Sequence, residues 1–191
     1  LIAVSHVAAH GSIVNPVQEI GRLARAHGTT FLVDGCQAVG QIPVDVQAIQ
    51  CDAYTATGRK WLCGPRGTGF LYVNRSSSLR AAQVDLAAAD LILDETRAVV
   101  GVDVRSDARQ FELWERSIAN MLGLSSAMEA YLQQDADAVW SCIRGNATVL
   151  RTAVCDNPRL CLLGKRESGS GVVGFYLRDP SQEAHVREKF D

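Results

Sequence analysis

No stretch of this chain approaches the ~20 consecutive apolar residues that a bilayer-spanning helix needs, and no run of lysine and arginine occurs. The 19 basic and 21 acidic residues leave a formal charge of −2, which gives no electrostatic reason to expect nucleic acid or an anionic membrane as a partner. Six cysteines are present (Cys36, Cys51, Cys63, Cys142, Cys155 and Cys161), but without a C-x-x-C pair or a ladder of regular spacings. Neither a zinc site nor a disulfide framework is indicated; the pattern suits reduced, packed thiols of an intracellular protein, and a cytoplasmic location is expected. The histidines His6, His10, His27 and His185 lack metal-ligand spacing, so they are expected in loops or at the surface, with His6 and His10 the two placed to line a pocket. An initiator methionine is missing too. The chain opens on the strand-like run Leu1-Ile2-Ala3-Val4 with no cap before it, which predicts a fragment of a longer protein.

What is present alternates between strand and helix signals. Leu1–Val4 predicts a buried strand. Asn15-Pro16 predicts a helix start, with Asn15 as cap, Pro16 in the first turn and Gln18 at a capping-box position; Gly28 supplies a left-handed exit. Thr29–Val33 is β-branched and aromatic, hence a strand, and it delivers Asp34 at its carboxyl end. Val44–Ile49 predicts a short helix, while Asp52–Thr57 and Thr68–Val73 predict strands. Such strands with interposed helices indicate an α/β sandwich whose ligand lies beyond the strand ends.

Residues 74–106 carry weaker signals and are expected to form a connection with lid or interface material. A long helix is predicted over Phe111–Gln134, and a second one, capped by Asp135, to about Cys155. Strands are predicted at Leu160–Leu163 and Val172–Leu177, and a further helix over Ser181–Phe190. The expected division is 1–106 for one domain part with its connection, and 107–191 for interface helices and the start of a small second domain.

The chemistry concentrates around Thr57-Gly58-Arg59-Lys60-Trp61-Leu62-Cys63-Gly64-Pro65-Arg66-Gly67-Thr68-Gly69 and, upstream, Val33-Asp34-Gly35-Cys36-Gln37. On position alone Lys60 reads as one more solvated surface charge, and Asp34 as a turn residue. Together, however, the two segments resemble the corresponding motifs of class V aminotransferases, the family of pyridoxal 5′-phosphate (PLP) enzymes that includes cysteine desulfurases, C–S lyases and epimerases. The resemblance implies a three-layer fold type I large-domain part followed by the start of a small α/β domain. It also implies PLP as cofactor, an amino-acid or cysteine-conjugate substrate, and a homodimer.

Roles follow from that likeness residue by residue. Lys60 matches the Schiff-base lysine, whose freed amine then serves as acid and base at the substrate Cα. Asp34 matches the aspartate that pairs with the pyridine nitrogen, and Gln37 the glutamine that hydrogen-bonds the ring oxygen. Thr57 and Arg59 match phosphate-contacting positions. Many relatives have serine and histidine there, but a guanidinium offers a forked donor set to a phosphate. Gly64, Pro65, Gly67 and Gly69 are expected to shape the turn; G-x-G-x-x-G does not occur in this block. Trp61 and Tyr72 are expected in the core or at a subunit contact.

Two departures bear on the reaction. Ala9 stands where desulfurases usually carry asparagine, and Glu115 where their Arg-Phe-Glu-x-Gly-Thr motif has the threonine that reaches phosphate across the dimer. Nor is there a cysteine in a small glycine/serine loop of the kind that holds a persulfide; Cys161 sits in an apolar strand with no visible cause of activation. C–S β-elimination is therefore the preferred expectation. Transamination, epimerisation and desulfuration remain open, as does an inactive binding or regulatory protein that keeps the fold. A nucleotide-binding α/β domain ranks last, for want of a phosphate-loop fingerprint following a strand.

Overall fold

The structure is a computed structural model and describes residues 1–182. Its first half is one sheet with strand order β1-β2-β3-β4, where β1 is Ile2–Ser5, β2 Phe31–Asp34, β3 Ala53–Thr57 and β4 Gly69–Val73. The first three strands are parallel, and β4 runs antiparallel to β3. Helix α1 (Val17–Ala26) makes the crossover from β1 to β2, and a single helical turn, α2 (Val46–Ile49), precedes β3.

Side chains alternate across a strand, so register decides which residues share a face. Phe31, Val33 and Tyr54 point to one side, where Val17 and Ala24 of α1 close over them with Ile49 and Cys51 to form the core. Val33 lies beside Tyr54, and Asp34 beside Thr55. The second face therefore carries Asp34 and Thr55, with Thr57 two positions further along β3. All three are only partly buried. The α1 side holds the sheet together, and the other presents polar groups at the strand ends.

His6 and Tyr54 form a buried polar pair at the top of this core, the imidazole Nδ1 2.9 Å from the phenol oxygen. Burial pushes the His6 pKa below its ordinary value and the Tyr54 pKa well above its own. The unfolded chain consequently binds a proton at His6 as pH drops below the usual imidazole value of about 6.5, while the folded chain resists it. Stability from this site is complete above that pH and declines as pH falls from there through the lowered folded pKa. Urea midpoints at pH 7.5 and 5.5 should thus differ in the wild type, and the difference should shrink in His6→Asn, whose amide does not titrate.

Several elements depart from expectation. Asn15 does not cap α1: Pro16 holds the cap position without a side-chain bond, while Asn15 Nδ2 donates to Ser5 O at 2.7 Å and ties the loop to the end of β1. Gly28 does supply the left-handed exit, at φ +59°. Residues 74–106 contain an antiparallel hairpin, β5 (Ala89–Leu93) with β6 (Val99–Val104), closed by Asp94, which accepts from the Thr96 hydroxyl and the Ala98 N–H. The helix expected from Phe111 starts later. Ala108–Phe111 is a 3-10 turn, and the Trp114 N–H is taken by the Asp85 carboxylate at 2.9 Å. That bond diverts the backbone donor that an earlier helix would need. Helix α3 instead spans Ile118–Leu132, with Ser117 accepting from Asn120 N.

Asp135 does cap the next helix, α4 (Ala136–Asp156), accepting from Asp137 N and Ala138 N. Strands β7 (Leu160–Leu163) and β8 (Gly174–Leu177) pair antiparallel, β8 starting two residues later than expected. Beyond a 3-10 turn at Pro180–Gln182, the helix expected over Ser181–Phe190 lies outside the described residues. Among the described residues no helix is long and apolar enough to cross a membrane, and no cluster of three or more His, Cys, Asp or Glu could hold a metal.

Candidate active site

Asp34 is the last residue of β2, and the ladder continues one step past it, where Gly35 N donates to Thr55 O at 2.8 Å. The chain then turns sharply, with Cys36 N donating to Asp34 Oδ1 at 2.9 Å. Glycine is required in between. A Cβ on Gly35 would stand 2.0 Å from the Tyr54 ring, so only a bare Cα lets the aspartate turn lie flat on the buried tyrosine. Sequence, local turn and core packing thereby fix where the carboxylate is delivered.

Lys60 sits in the turn that leaves β3. Gly58 N donates to Thr68 O, Gly64 N to Gly58 O and Cys63 N to Lys60 O, which closes residues 58–64 into a compact loop clipped to the start of β4. Cys63 takes a left-handed φ of +57° within it. Lys60 is half-buried at this loop, whereas Arg59 is exposed. Thr57, the last residue of β3, donates from Oγ1 to Thr68 O at 3.3 Å, leaving the hydroxyl oxygen able to accept.

Two contacts knit the aspartate turn to the lysine loop. The Cys36 thiol is held above its ordinary pKa by burial first and by hydrogen bonding to Asp34 and the Asp34 charge next, while the Lys60 charge pulls it down. A sulfur that senses both groups lies within Coulombic reach of each. The second contact runs between neighbours of the pair: Trp61 Nε1 donates to Gln37 Oε1 at 3.2 Å. The indole is donor-only, so this bond assigns the Gln37 amide and leaves its NH₂ to donate elsewhere. Asp34, Gln37 and Lys60 are brought into one neighbourhood; Thr57 shares the Asp34 face, and Arg59 stands at the surface of the same loop. The part played by Trp61 was hidden in the sequence, where nothing distinguishes it from a core aromatic.

Other features stand apart from this cluster. A groove of about 630 Å³ runs between β4 and α3, lined by Phe70, Phe111, Met121, Leu124 and Met128, and includes none of the five residues. Glu115 is exposed in the irregular segment before α3, and Cys161 lies in β7 opposite Tyr176. Gly169-Ser170-Gly171-Val172-Val173-Gly174 does have the spacing of a dinucleotide loop, but it leads into strand β8, so no helix N-terminus backs it.

The family model for aminotransferase class-V matches residues 1–187. The chain belongs to the class V aminotransferase family. Among curated members, a cysteine desulfurase of Serratia proteamaculans is 32% identical over 177 residues, which cover 93% of this chain and 43% of that protein. A cysteine desulfurase of Dickeya dadantii is 36% identical over 180 residues, covering 93% and 42%. The chain thus spans less than half the length of these relatives. Among solved structures, the cystine C–S lyase C-DES in complex with its product cysteine persulfide superposes with a TM-score of 0.84 at 23% identity, over 98% of this chain and half of that one. The same lyase as a mutant with glycine linked to its PLP cofactor gives 0.85 at 22%. Family members of this type are PLP-dependent enzymes of fold type I, and the mixed sheet with covering helices is that architecture.

Proposed function

We propose that the whole protein is a PLP-dependent enzyme acting on cysteine or a cysteine conjugate, and that it cleaves the C–S bond by β-elimination. The observation that carries this reading is the hydrogen bond from Trp61 Nε1 to Gln37 Oε1, which joins the turn after Asp34 to the loop that holds the half-buried Lys60. The donor set fits the cofactor: one carboxylate for a ring nitrogen, one amide NH₂ for a ring oxygen, one amine for an aldehyde, and Thr57 with Arg59 for a phosphate. When bound, PLP supplies an electron sink conjugated to the substrate Cα.

Lys60 would hold the cofactor by its aldehyde carbon and, once exchanged for the substrate amine, carry the proton at the substrate Cα. Asp34 would keep the ring nitrogen protonated. Gln37 would donate from Nε2, the atom that its bond to Trp61 leaves outward. Arg59 and Thr57 would bracket the phosphate. Residues 1–106 then form the carboxyl-terminal portion of the cofactor domain with its connection, and 107–182 open a second unit. A second copy of the protein would complete the assembly, a reading supported by the exposed Leu91, Ile92, Val100 and Val102 of the β5–β6 hairpin.

Desulfuration is the second reading, favoured by the names of the relatives. Glu115, exposed at the position of the phosphate-reaching threonine in the desulfurase motif, weighs against it. Products decide. Given cysteine, a lyase releases pyruvate, ammonia and sulfide in equal amounts, which is the expected result for the natural protein loaded with PLP. Alanine together with a protein-bound persulfide would instead assign the desulfurase, and a keto acid without free ammonia the aminotransferase. A protein that takes up PLP but turns over no amino acid would be a binding or regulatory member of the family.

A further inference from the structure

Gln41 is fully buried, yet it lies outside the five residues that the family motifs point to. Its side chain has two partners. Oε1 accepts from Gly171 N at 2.6 Å, a contact spanning 130 positions of sequence, and Nε2 donates to the backbone carbonyl of Gln37. A backbone N–H can only donate, so the first bond fixes the amide orientation and makes the second one available. Residues 35–42 are wound as successive turns, with Ala38 N and Val39 N donating to Gly35 O, and Gln41 N and Ile42 N donating to Ala38 O. This winding stacks Gln41 above Gln37, four positions earlier, as on a helix face.

The partner loop is itself held in place. Arg151 of α4 is 1% exposed and has no carboxylate partner among the described residues; its guanidinium donates to the carbonyls of Ser170 at 2.6 Å, Val172 at 2.8 Å and Ser168 at 3.4 Å. Five donors in a rigid fork can gather carbonyls from both sides of a turn. The Ser168 hydroxyl donates to Ser12 O at 2.6 Å, and Gly174 N to Ser12 Oγ at 3.2 Å, so the loop is sewn to the first half of the chain at a second point. Gly171 packs closely there, since a Cβ on it would lie 2.8 Å from the Trp61 ring. One end of the Gln37–Trp61 bond is thus supported by Gln41, and the other by Gly171.

We propose that Gln41 is a positioning residue that ties the 168–172 loop to Gln37, so that seating of the second unit on the first aims the Gln37 amide at the cofactor ring oxygen. The inference rests on the PLP reading above. It gives Gln41 no contact with cofactor or substrate; Gln41 acts by fixing the backbone from which Gln37 projects, while Trp61 fixes the far end of the same side chain. A buried network of this kind is worth most when every member is satisfied, so losing one arm frees the whole turn.

The test uses the natural protein loaded with PLP and reads the visible band of the cofactor held at Lys60 against pH. An oxygen that loses its donor is more basic and holds a neighbouring proton more tightly, so the midpoint should rise. For Gln41→Met, which deletes both arms at similar length, a rise of about half to one pH unit is expected. A roughly tenfold fall in kcat with KM little changed should accompany it. Gln41→Asn keeps a neutral amide but is too short to reach Gly171 N and Gln37 O together, and should move the midpoint in the same direction even if the methionine variant does not fold. Because Gln41 acts through Gln37, the double variant with Gln37→Ala should shift no further than Gln37→Ala alone. A merely structural Gln41 would lower the melting temperature and leave the midpoint where it was, and that result, or full additivity with Gln37→Ala, overturns the proposal. Failure of the wild type to develop the band at all would instead sink the PLP reading, and this inference with it.

Discussion

Lys60→Ala should abolish turnover in the natural protein and, separately, remove the site at which borohydride fixes PLP. Two losses combine. On the proposed reading the amine that would hold the cofactor by its aldehyde is gone, and so is the group that would carry the proton at the substrate Cα, a role worth on the order of 10²–10⁴-fold in rate by itself. The loop around Lys60 gives little reason for the fold to suffer. Its closure rests on backbone bonds among Gly58, Lys60, Cys63, Gly64 and Thr68, and the lysine contributes only its carbonyl. The variant should therefore keep the wild-type melting temperature without cofactor. Borohydride reduction followed by peptide mapping is the decisive measurement. In the wild type the label should fall on the peptide containing Lys60, and in the variant it should vanish. Labelling of Lys165 or Lys189 in place of Lys60 would show that the assigned amine is wrong, whatever the activity did.

The sheet that positions this lysine was legible from local signals: Thr29–Val33 is a β-branched and aromatic run that ends at Asp34-Gly35, and Ala53, Thr55 and Thr57 alternate against Tyr54 and Ala56. The β5–β6 hairpin was not legible for the opposite reason. Leu91, Ile92 and Leu93 are consecutive, as are Val99 and Val100, and nearly all of this surface is exposed in the chain. A strand with apolar residues on both faces gives no period-two signal to read. The start of α3 was misplaced because a tertiary bond, Trp114 N–H to Asp85, competes with the helix over a separation of 29 residues. Asn15 failed as a cap in the same way, its amide drawn ten positions back to Ser5.

The site shows the same divide. Asp34, Gln37 and Lys60 stand in short motifs, and their likeness to the family is carried by contiguous letters. Gln41, Trp61 and Gly171 have roles set by contacts across 24 to 130 positions. No local pattern marks Gln41 as a buried glutamine; only its complete burial and its two directed bonds do. Cys36 is intermediate. Its letter lies between Asp34 and Gln37, but its place against the Asp34 carboxylate, to which its N–H donates, depends on how the turn over Tyr54 folds.

Asp34→Asn should separate cofactor binding from catalysis more sharply than any other substitution. The amide is isosteric with the carboxylate, and its oxygen can still accept from Cys36 N, the bond of 2.9 Å that shapes the turn. Gly35 remains flat on Tyr54, and the ladder bond from Gly35 N to Thr55 O is untouched. What changes is the charge that, on the proposed reading, would face the ring nitrogen. A neutral amide does not favour the protonated ring, so the electron sink weakens at the moment when negative charge develops on the substrate. Removing one such preorganised electrostatic partner costs on the order of 10²–10³-fold in kcat. Cofactor uptake should lose only the charge-assisted part of a single hydrogen bond, about 1.5–3 kcal/mol at most, while the proposed bond to Lys60 should persist and still be trapped by borohydride. Replacing PLP by an analogue whose ring nitrogen carries a permanent methyl charge supplies what the aspartate no longer does, and should restore part of the lost rate in Asp34→Asn while doing little for Lys60→Ala. An Asp34→Asn variant that turns over at the wild-type rate with ordinary PLP would remove this carboxylate from the ring nitrogen and return Asp34 to the role of a turn residue.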